Sequence, residues 1–320
     1  MRKIFEKLGL SSVKHKGTRE KRRRNFNKPL FLVSAAVFLW VALALATGFC
    51  APAEHVVIVS LDGGRPDVIL TSNTPNIHEM AEQGAYTWWA QTINPSITLP
   101  SHSSMLTGCL PQKHGVTWND WKPELGFVKT TTCFEIAKQA GMTTAMFVSK
   151  QKLEHIAKPG TVDKFVTISG DDAVAAAKAA GEYFQKKKPN LLFVHFSDPD
   201  ATGHAHHWGS KEYRTAIENC DRGIGILRAI VKDAGVSATT VWIITADHGG
   251  HLNSHGSTDV RDMTIPWICY DPGIVQPGEI EEPVSTCDTA VMAVCALGLK
   301  PDSQWDGKIL SGIFISNKSH

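Results

Sequence analysis

Carboxylate and imidazole side chains recur in this chain directly after apolar runs, a placement suited to metal-assisted hydrolysis. The stretch from Val241 passes through Trp-Ile-Ile-Thr-Ala into Asp247-His248-Gly249-Gly250-His251 and on to His255. Thr240 to Ile244 are β-branched or aromatic enough for a buried strand, and the two glycines are expected to permit a tight turn that leaves Asp247 and His248 at the strand's mouth. Open α/β sheets bind ligands at such mouths. An earlier run, Val56 to Leu61, also stops at a carboxylate, Asp62-Gly63-Gly64. A third, Leu191 to Phe196, gives way to Asp198-Pro199-Asp200-Ala201-Thr202-Gly203-His204, in which Asp200 and His204 have the i, i+4 spacing that lets two side chains converge on one ion. Thr98 stands at the start of a predicted helix within Asn94 to Gly108. As a cap it would be ordinary. Beside metal ions, at a helix N-terminus whose free N–H groups attract anions, the same hydroxyl could attack phosphorus.

These residues need a frame that delivers several strand ends to one edge. Strand-like runs alternate with helix-like segments: His55 to Leu61 then Asn76 to Gln83, Thr143 to Val148 then a short polar helix, Leu191 to Phe196 then Lys211 to Ala234. That rhythm predicts an α/β fold with a largely parallel central sheet flanked by helices. Asp171 to Lys187 is Ala-rich, acidic at its start and basic at its end, the charge order that a helix dipole favours. Ile265 to Tyr270 reads as a further strand and Asp288 to Leu297 as a late helix.

Charge divides the chain. Residues 1 to 53 hold eleven Lys and Arg against Glu6 and Glu20, a net +9, so that within a total of +2 the remaining body carries −7. An anionic body argues against coating nucleic acid, whose phosphates are held by clustered cations. Leu30 to Phe49 is uncharged and apolar, and Ala51-Pro52-Ala53 follows with small residues in an A-x-A order. We expect residues 1–53 to be a basic arm with a signal peptide or membrane anchor, and residues 54–320 to be the catalytic domain, placed outside the cytoplasm. Membrane contact would then come only through residues 30–51. Arg23-Arg24 sits in a plain basic region that only partly matches a twin-arginine export signal, and Phe49 before Cys50 does not suit lipidation. The other six cysteines, Cys109, Cys133, Cys220, Cys269, Cys287 and Cys295, would suit an oxidising compartment or serve as small buried hydrophobes; none has the Cys-x-x-Cys spacing of a zinc clamp.

Taken in order, Ser60-Leu61-Asp62-Gly63, Thr98-Leu99-Pro100-Ser101-His102, His114-Gly115-Val116-Thr117-Trp118-Asn119, Pro199-Asp200-x-x-Gly203-His204, Ala246-Asp247-His248-Gly249-Gly250, and His255-Gly256 before Thr264-Ile265-Pro266 resemble the alkaline phosphatase superfamily. The resemblance is specifically to its type I phosphodiesterase/nucleotide pyrophosphatase branch. It implies an alkaline phosphatase-like fold and two zinc ions, with manganese or iron as alternatives. It implies that Asp62, Thr98, Asp247 and His248 hold one ion and that Asp200, His204 and His255 hold the other. Thr98, deprotonated at its zinc, would attack phosphorus and become phosphorylated, and Asn119 would hydrogen-bond a nonbridging phosphoryl oxygen. The implied substrate is a small phosphodiester or nucleotide.

His255 is preferred to His251 as the last ligand, and His102, His114, His206, His207 and His320 are not assigned as ligands. Trp118, Trp121 and the pair Trp88-Trp89 could form an aromatic wall for a flat group, or pack in the core. A sulfatase is disfavoured, because Thr98-Leu99-Pro100-Ser101-His102 stands where that family carries Cys/Ser-x-Pro-x-Arg. A phosphomonoesterase on the same bimetal core would need a further cation for the dianion, and Arg65 is the basic residue nearest a motif. Phosphonate hydrolysis and a non-catalytic metal-binding protein are the remaining alternatives.

Overall fold

Runs rich in Val, Ile, Leu and Phe become strands because the sheet is covered on both faces, so that neither side of a central strand meets water. The computed structural model describes residues 52–271, 273 and 275–314. Its strands are β1 (His55–Leu61), β2 (Ala85–Gln91), β3 (Thr144–Val148), β4 (Lys164–Thr167), β5 (Leu191–Phe196), β6 (Thr240–Ala246), β7 (Thr264–Tyr270) and β8 (Gly278–Glu279). The principal helices are α1 (Pro75–Gln83), α2 (Thr98–Thr107), α3 (Cys133–Gln139), α4 (Ala173–Lys187), α5 (Asp198–His206), α6 (Lys211–Asp233) and α7 (Asp288–Ala296).

The sheet runs β4-β3-β5-β1-β6-β7-β2-β8. The five strands from β4 to β6 are parallel, whereas β7 is antiparallel to both β6 and β2. Side-chain alternation divides each central strand between two cores. Val56 and Ile58 of β1 join Leu191, Phe193, Val241 and Ile243 beneath α2, α3 and α7. Val57, Val59 and Leu61 join Leu192, Val194, Trp242 and Ile244 beneath α1, α4 and α6. The expected fold class is the one observed.

Helix ends follow the local chemistry. Thr132 and Glu135 form a reciprocal capping box at α3, and Asp172 caps α4 by accepting from Ala175 N at 3.0 Å. The expected start of α4 at Asp171 moves to Ala173 for that reason. Three strands carry no clear signal in the sequence. β2 is mixed in polarity, β4 is four residues long and β8 is two residues long. Each is set by pairing with a neighbour rather than by its own pattern.

Ala53 is buried and donates its N–H to Ala296 O. The basic arm, the apolar run to residue 51 and His320 lie outside the described residues. Among the described residues no helix is long and apolar enough to cross a membrane. The six cysteines from Cys109 to Cys295 are free thiols, five of them buried, so they serve here as small apolar side chains.

Candidate metal centre and active site

Register explains why distant motifs meet. Leu61, the last residue of β1, is level with Phe196 of β5 on one side and Ala246 of β6 on the other. Asp62, the Asp198–Asp200 turn and Asp247 therefore leave the sheet side by side. Two groups of ligand atoms result, Asp62 with Asp247 and His248, and Asp200 with His204 and His255, each with its atoms within 4.8 Å of one another.

The first group is fully buried. Asp247 Oδ1 accepts from Gly63 N at 3.0 Å and from His248 N at 2.9 Å, which binds the β1 turn to the β6 turn. Asp62 Oδ2 accepts from His195 Nε2 at 2.9 Å. Asp62 Oδ1, Asp247 Oδ2 and His248 Nε2 have no hydrogen-bond partner, although His248 Nε2 lies 3.3 Å from both oxygens. Asp200 Oδ1 is likewise unpartnered, and His204 Nε2 and His255 Nε2 each lie 3.4 Å from it. Buried polar atoms left without partners are costly, and here they converge.

Each candidate ligand imidazole points the same nitrogen inward. His248 Nδ1 donates to Gly249 O at 2.7 Å, His204 Nδ1 to Asn253 O at 2.9 Å, and His255 Nδ1 to Ser96 O at 2.8 Å. With Nδ1–H engaged by a backbone carbonyl, the Nε2 lone pair faces the carboxylates, the arrangement a ligating histidine requires. The donor set of carboxylates and imidazoles fits divalent zinc, manganese or iron.

The electrostatics ask for positive charge. Burial would lower the His248 pKa, but Asp247 and Asp62 raise it to about 9. Burial, then Asp62, pushes the Asp247 carboxyl above its ordinary range. Burial acts upward on Asp62 too, yet Lys150, His195 and His248 hold it well below. His255, buried and stacked 3.7 Å from His248, is lowered to about 4.

Thr98 is the first residue of α2; Ile97 occupies the cap position, so the capping alternative does not apply. Thr98 is itself buried. The helix's first turn is tied to the Asp247 turn: the hydroxyls of Thr92 and Ser101 both donate to Asp247 O. His102 Nδ1 donates to Thr98 O at 2.8 Å and lies 3.3 Å from Asp247 Oδ2, while its Nε2 faces Ser60 Oγ at 2.8 Å. Asn119 Oδ1 accepts from Leu99 N at 2.9 Å, placing the amide beside the start of α2.

Other expectations change. Gly249 and Gly250 do not need positive φ; they are needed for close approach. A Cβ on Gly249 would come within 1.9 Å of Arg261 O, and one on Gly250 would enter the Trp208 indole at 2.3 Å. His251 is drawn away by Asp262, 2.7 Å from its Nδ1, and stands in neither ligand group. Arg65 is paired with Asp67 at 2.5 Å and donates to Gly250 O, so it is not free to clamp a phosphate. Trp88 packs on His78 and Tyr86, and Trp89 is 67% exposed, so neither builds the aromatic wall. Trp118 and Trp121 instead pack on His155, with centroids at 5.4 and 4.6 Å.

Four contributors do not stand out in the sequence. His195 braces Asp62 from β5, and Trp208 donates to Gly63 O at 2.9 Å while its ring lies against His204 and His255. Lys150 Nζ reaches Asp62 Oδ2 at 2.6 Å and Asp200 Oδ2 at 2.5 Å, and Lys152 Nζ reaches Asn119 Oδ1 at 3.1 Å. The lysines follow β3, the next strand along the same edge. Applying the strand-mouth argument to Val148 as well as to Leu61, Phe196 and Ala246 points to both of them.

The chain is similar to known proteins over most of its length. A family model described as type I phosphodiesterase / nucleotide pyrophosphatase matches residues 56–262. Ectonucleotide pyrophosphatase/phosphodiesterase family member 7 of Mus musculus is 27% identical over 294 residues, covering 77% of this chain and 65% of that protein. Family member 5 of Homo sapiens is 27% identical over 234 residues, covering 66% of this chain and 48% of that protein. The matched stretch thus spans less than two thirds of either relative's own length. Murine family member 5, solved in an inactive threonine-to-alanine form with AMP, superposes with a TM-score of 0.69 at 15% identity, covering 80% of this chain and 97% of that one. At that identity the likeness speaks to the fold.

Proposed function

The chain belongs to the type I phosphodiesterase/nucleotide pyrophosphatase family, and on that premise we propose that residues 54–320 form an exported bimetal hydrolase of phosphoric esters that works through a phosphothreonine at Thr98. Phosphodiesters and nucleotide pyrophosphates are the substrate class indicated by its relatives, one of which was solved with AMP. The single observation that carries the reading is the convergence of unpartnered Asp62, Asp200, Asp247 and His248 atoms at one edge of the sheet, with Thr98 at the head of the helix that is hydrogen-bonded to the Asp247 turn.

Asp62, Asp247 and His248, with Thr98, would hold one divalent ion, and Asp200, His204 and His255 the other. Such ions supply Lewis acidity and positive charge to a phosphoryl group. Thr98 Oγ forms a bond to phosphorus as the ester oxygen departs with its electron pair and gains a proton. Water then attacks the same phosphorus, the Thr98 hydroxyl is restored and phosphate or its remaining monoester leaves. Asn119 donates its amide Nδ2 to a nonbridging oxygen, because its Oδ1 is already held by Leu99 N and Lys152. His102 holds the first turn of α2 against Asp247, and His195 fixes the Asp62 carboxylate. Export is supported by the basic arm and apolar run of the sequence and by relatives named as ectoenzymes.

Thr98→Ala tests the reading. With zinc and bis-p-nitrophenyl phosphate, the variant is expected to keep its fold and bound metal while losing turnover by at least about a thousandfold. Acid quenching of the wild type should trap a phosphoryl adduct on the peptide containing Thr98. Turnover that survives in the variant sinks the proposal. A phosphomonoesterase reading is favoured by one specific observation, the ammonium of Lys152 beside Asn119.

A further inference from the structure

The loop between His248 and His255 reverses on four residues. His251 and Ser254 exchange backbone hydrogen bonds at 2.9 and 3.0 Å, which leaves Leu252 and Asn253 as the central pair of a tight turn. Leu252 O accepts from Trp208 N at 2.8 Å, Asn253 O accepts from His204 Nδ1 at 2.9 Å, and Asn253 Nδ2 donates to His204 O at 2.9 Å. The turn thus aims His204. None of these contacts involves the Leu252 side chain.

That side chain is out of place in two ways. Of the central pair Leu252 alone has a positive φ, 50°, at the position where such two-residue turns favour glycine because a Cβ crowds the backbone. Lys188 and His207, the other non-glycine residues with positive φ among the described residues, each close a helix, whereas Leu252 does not. Leu252 is also 69% exposed. A lone exposed apolar residue is ordinary, as the equally exposed Val260 is in its helical turn Val260–Met263. An exposed leucine held in a left-handed conformation beside a ligand group is a cost the fold leaves uncompensated, and such costs collect where a ligand binds.

Position identifies the ligand. Thr98 belongs with Asp62, Asp247 and His248, and in-line displacement sends the departing oxygen to the side of phosphorus opposite Thr98 Oγ. That side belongs to Asp200, His204 and His255, where the departing alcohol leaves with the bonding electron pair and gains a proton. We infer that Leu252 packs on the organic group of that alcohol, so that the chain favours phosphoric esters with an apolar departing alcohol over those whose leaving group is polar or is a second phosphate. The inference rests on the Thr98-centred reading above and narrows its substrate class.

The experiment compares kcat/KM on the full chain with zinc for esters of p-tert-butylphenol and p-(hydroxymethyl)phenol, phenols of similar acidity and unlike polarity, each offered as the monoester and as the methyl diester. The wild type should favour the tert-butyl ester by about tenfold, the discrimination that an apolar contact supplies. Leu252→Asn installs a residue that tolerates positive φ and removes the apolar contact. It should lower kcat/KM about tenfold for the tert-butyl ester and about twofold or less for its polar counterpart, while raising the thermal midpoint by about 2 °C as the backbone relaxes. Leu252→Met should keep the preference, and Val260→Asn, equally exposed but outside the turn, should leave it unchanged. Leu252→Gly replaces the asparagine variant if that one fails to fold. No turnover or no preference in the wild type, an equal loss on both esters, or an equal effect of Val260→Asn overturns the inference. An inactive Thr98→Ala beside a flat Leu252 ratio leaves the phosphothreonine reading standing alone. An active Thr98→Ala removes that reading, while the Leu252 ratio still reports whether the apolar contact exists.

Discussion

The two ligand groups are built to different standards. Asp62, Asp247 and His248 are fully buried and emerge from adjacent strand ends, and the two carboxylates are braced by Gly63 N, His248 N and His195. Asp200, His204 and His255 come from a helix and a loop, and the His204 side chain is 46% exposed. Their imidazoles are aimed by carbonyls of Asn253 and Ser96 and by the ring of Trp208. The first group is therefore part of the sheet's own packing, and the second depends on loops docking onto it. Elements with fewer buried contacts open at lower free-energy cost. The second site should exchange its metal more readily than the first.

The strongest way to break this comparison is to remove one ligand from each side. Asp62→Ala leaves buried His195 without its carboxylate and Lys150 with Asp200 alone, and should lower stability by about 3 kcal/mol in urea unfolding, with no detectable turnover. His204→Ala should alter stability by less than about 1 kcal/mol, because an exposed side chain leaves little behind. Its activity should return with excess zinc. Equal destabilisation by the two variants would show that both groups are integral to the fold.

Trp208→Ala tests the loop side without replacing a candidate ligand. The indole is buried, packs over Gly203 and Gly250, and ties both to Gly63 O. Its loss should cost about 3 kcal/mol and weaken zinc at the second group more than at the first, read by competitive chelator titration. A uniform weakening of both ions would erase the distinction between the two groups.

The smallest effect concerns the dry layers beneath the site. Burial pushes the thiol pKa up to about 12 at Cys133 and Cys287 and about 11 at Cys295. Alkylation requires the thiolate. At pH 8 the six described thiols should stay silent to an aromatic disulfide reagent until denaturant is added. The sign of the linkage is that the native state holds these protons more tightly. The stability they contribute is present below the ordinary thiol pKa of about 8.5 and is lost as pH rises toward 11 to 12. Rapid reaction in native buffer would mean that these layers open far more easily than the polar mouth above them.

Much of this architecture is legible in the amino-acid sequence. Val56 to Leu61, Leu191 to Phe196 and Val241 to Ala246 are apolar on both faces and end at Asp62, the Asp198-Pro199-Asp200 turn and Asp247. Each strand, its end and its carboxylate are neighbours in the chain, so local pattern suffices. The same holds for Asp200 and His204, one helical turn apart on α5. His255 against His251 is a harder choice, since both follow Asp247 closely, and a resemblance rather than spacing favours the former. The reason lies in Asp262, whose carboxylate takes His251 out of the groups.

What the chain determined by itself was the set of strand ends and the side chains they carry, because hydrophobic period and turn punctuation act over a few residues. What only the tertiary structure decided was adjacency. The order β3-β5-β1-β6 sets Lys150 against Asp62 and Asp200, and His195 against Asp62, across sequence separations that no local pattern encodes. Trp208 joins the Gly63 turn, α5 and the Gly250 loop through contacts that exist only once those segments pack. The ligand types were local; the field, the bracing and the spare cation beside Asn119 arise from long-range packing, since Coulombic and hydrogen-bond partners are set by distance in space rather than along the chain.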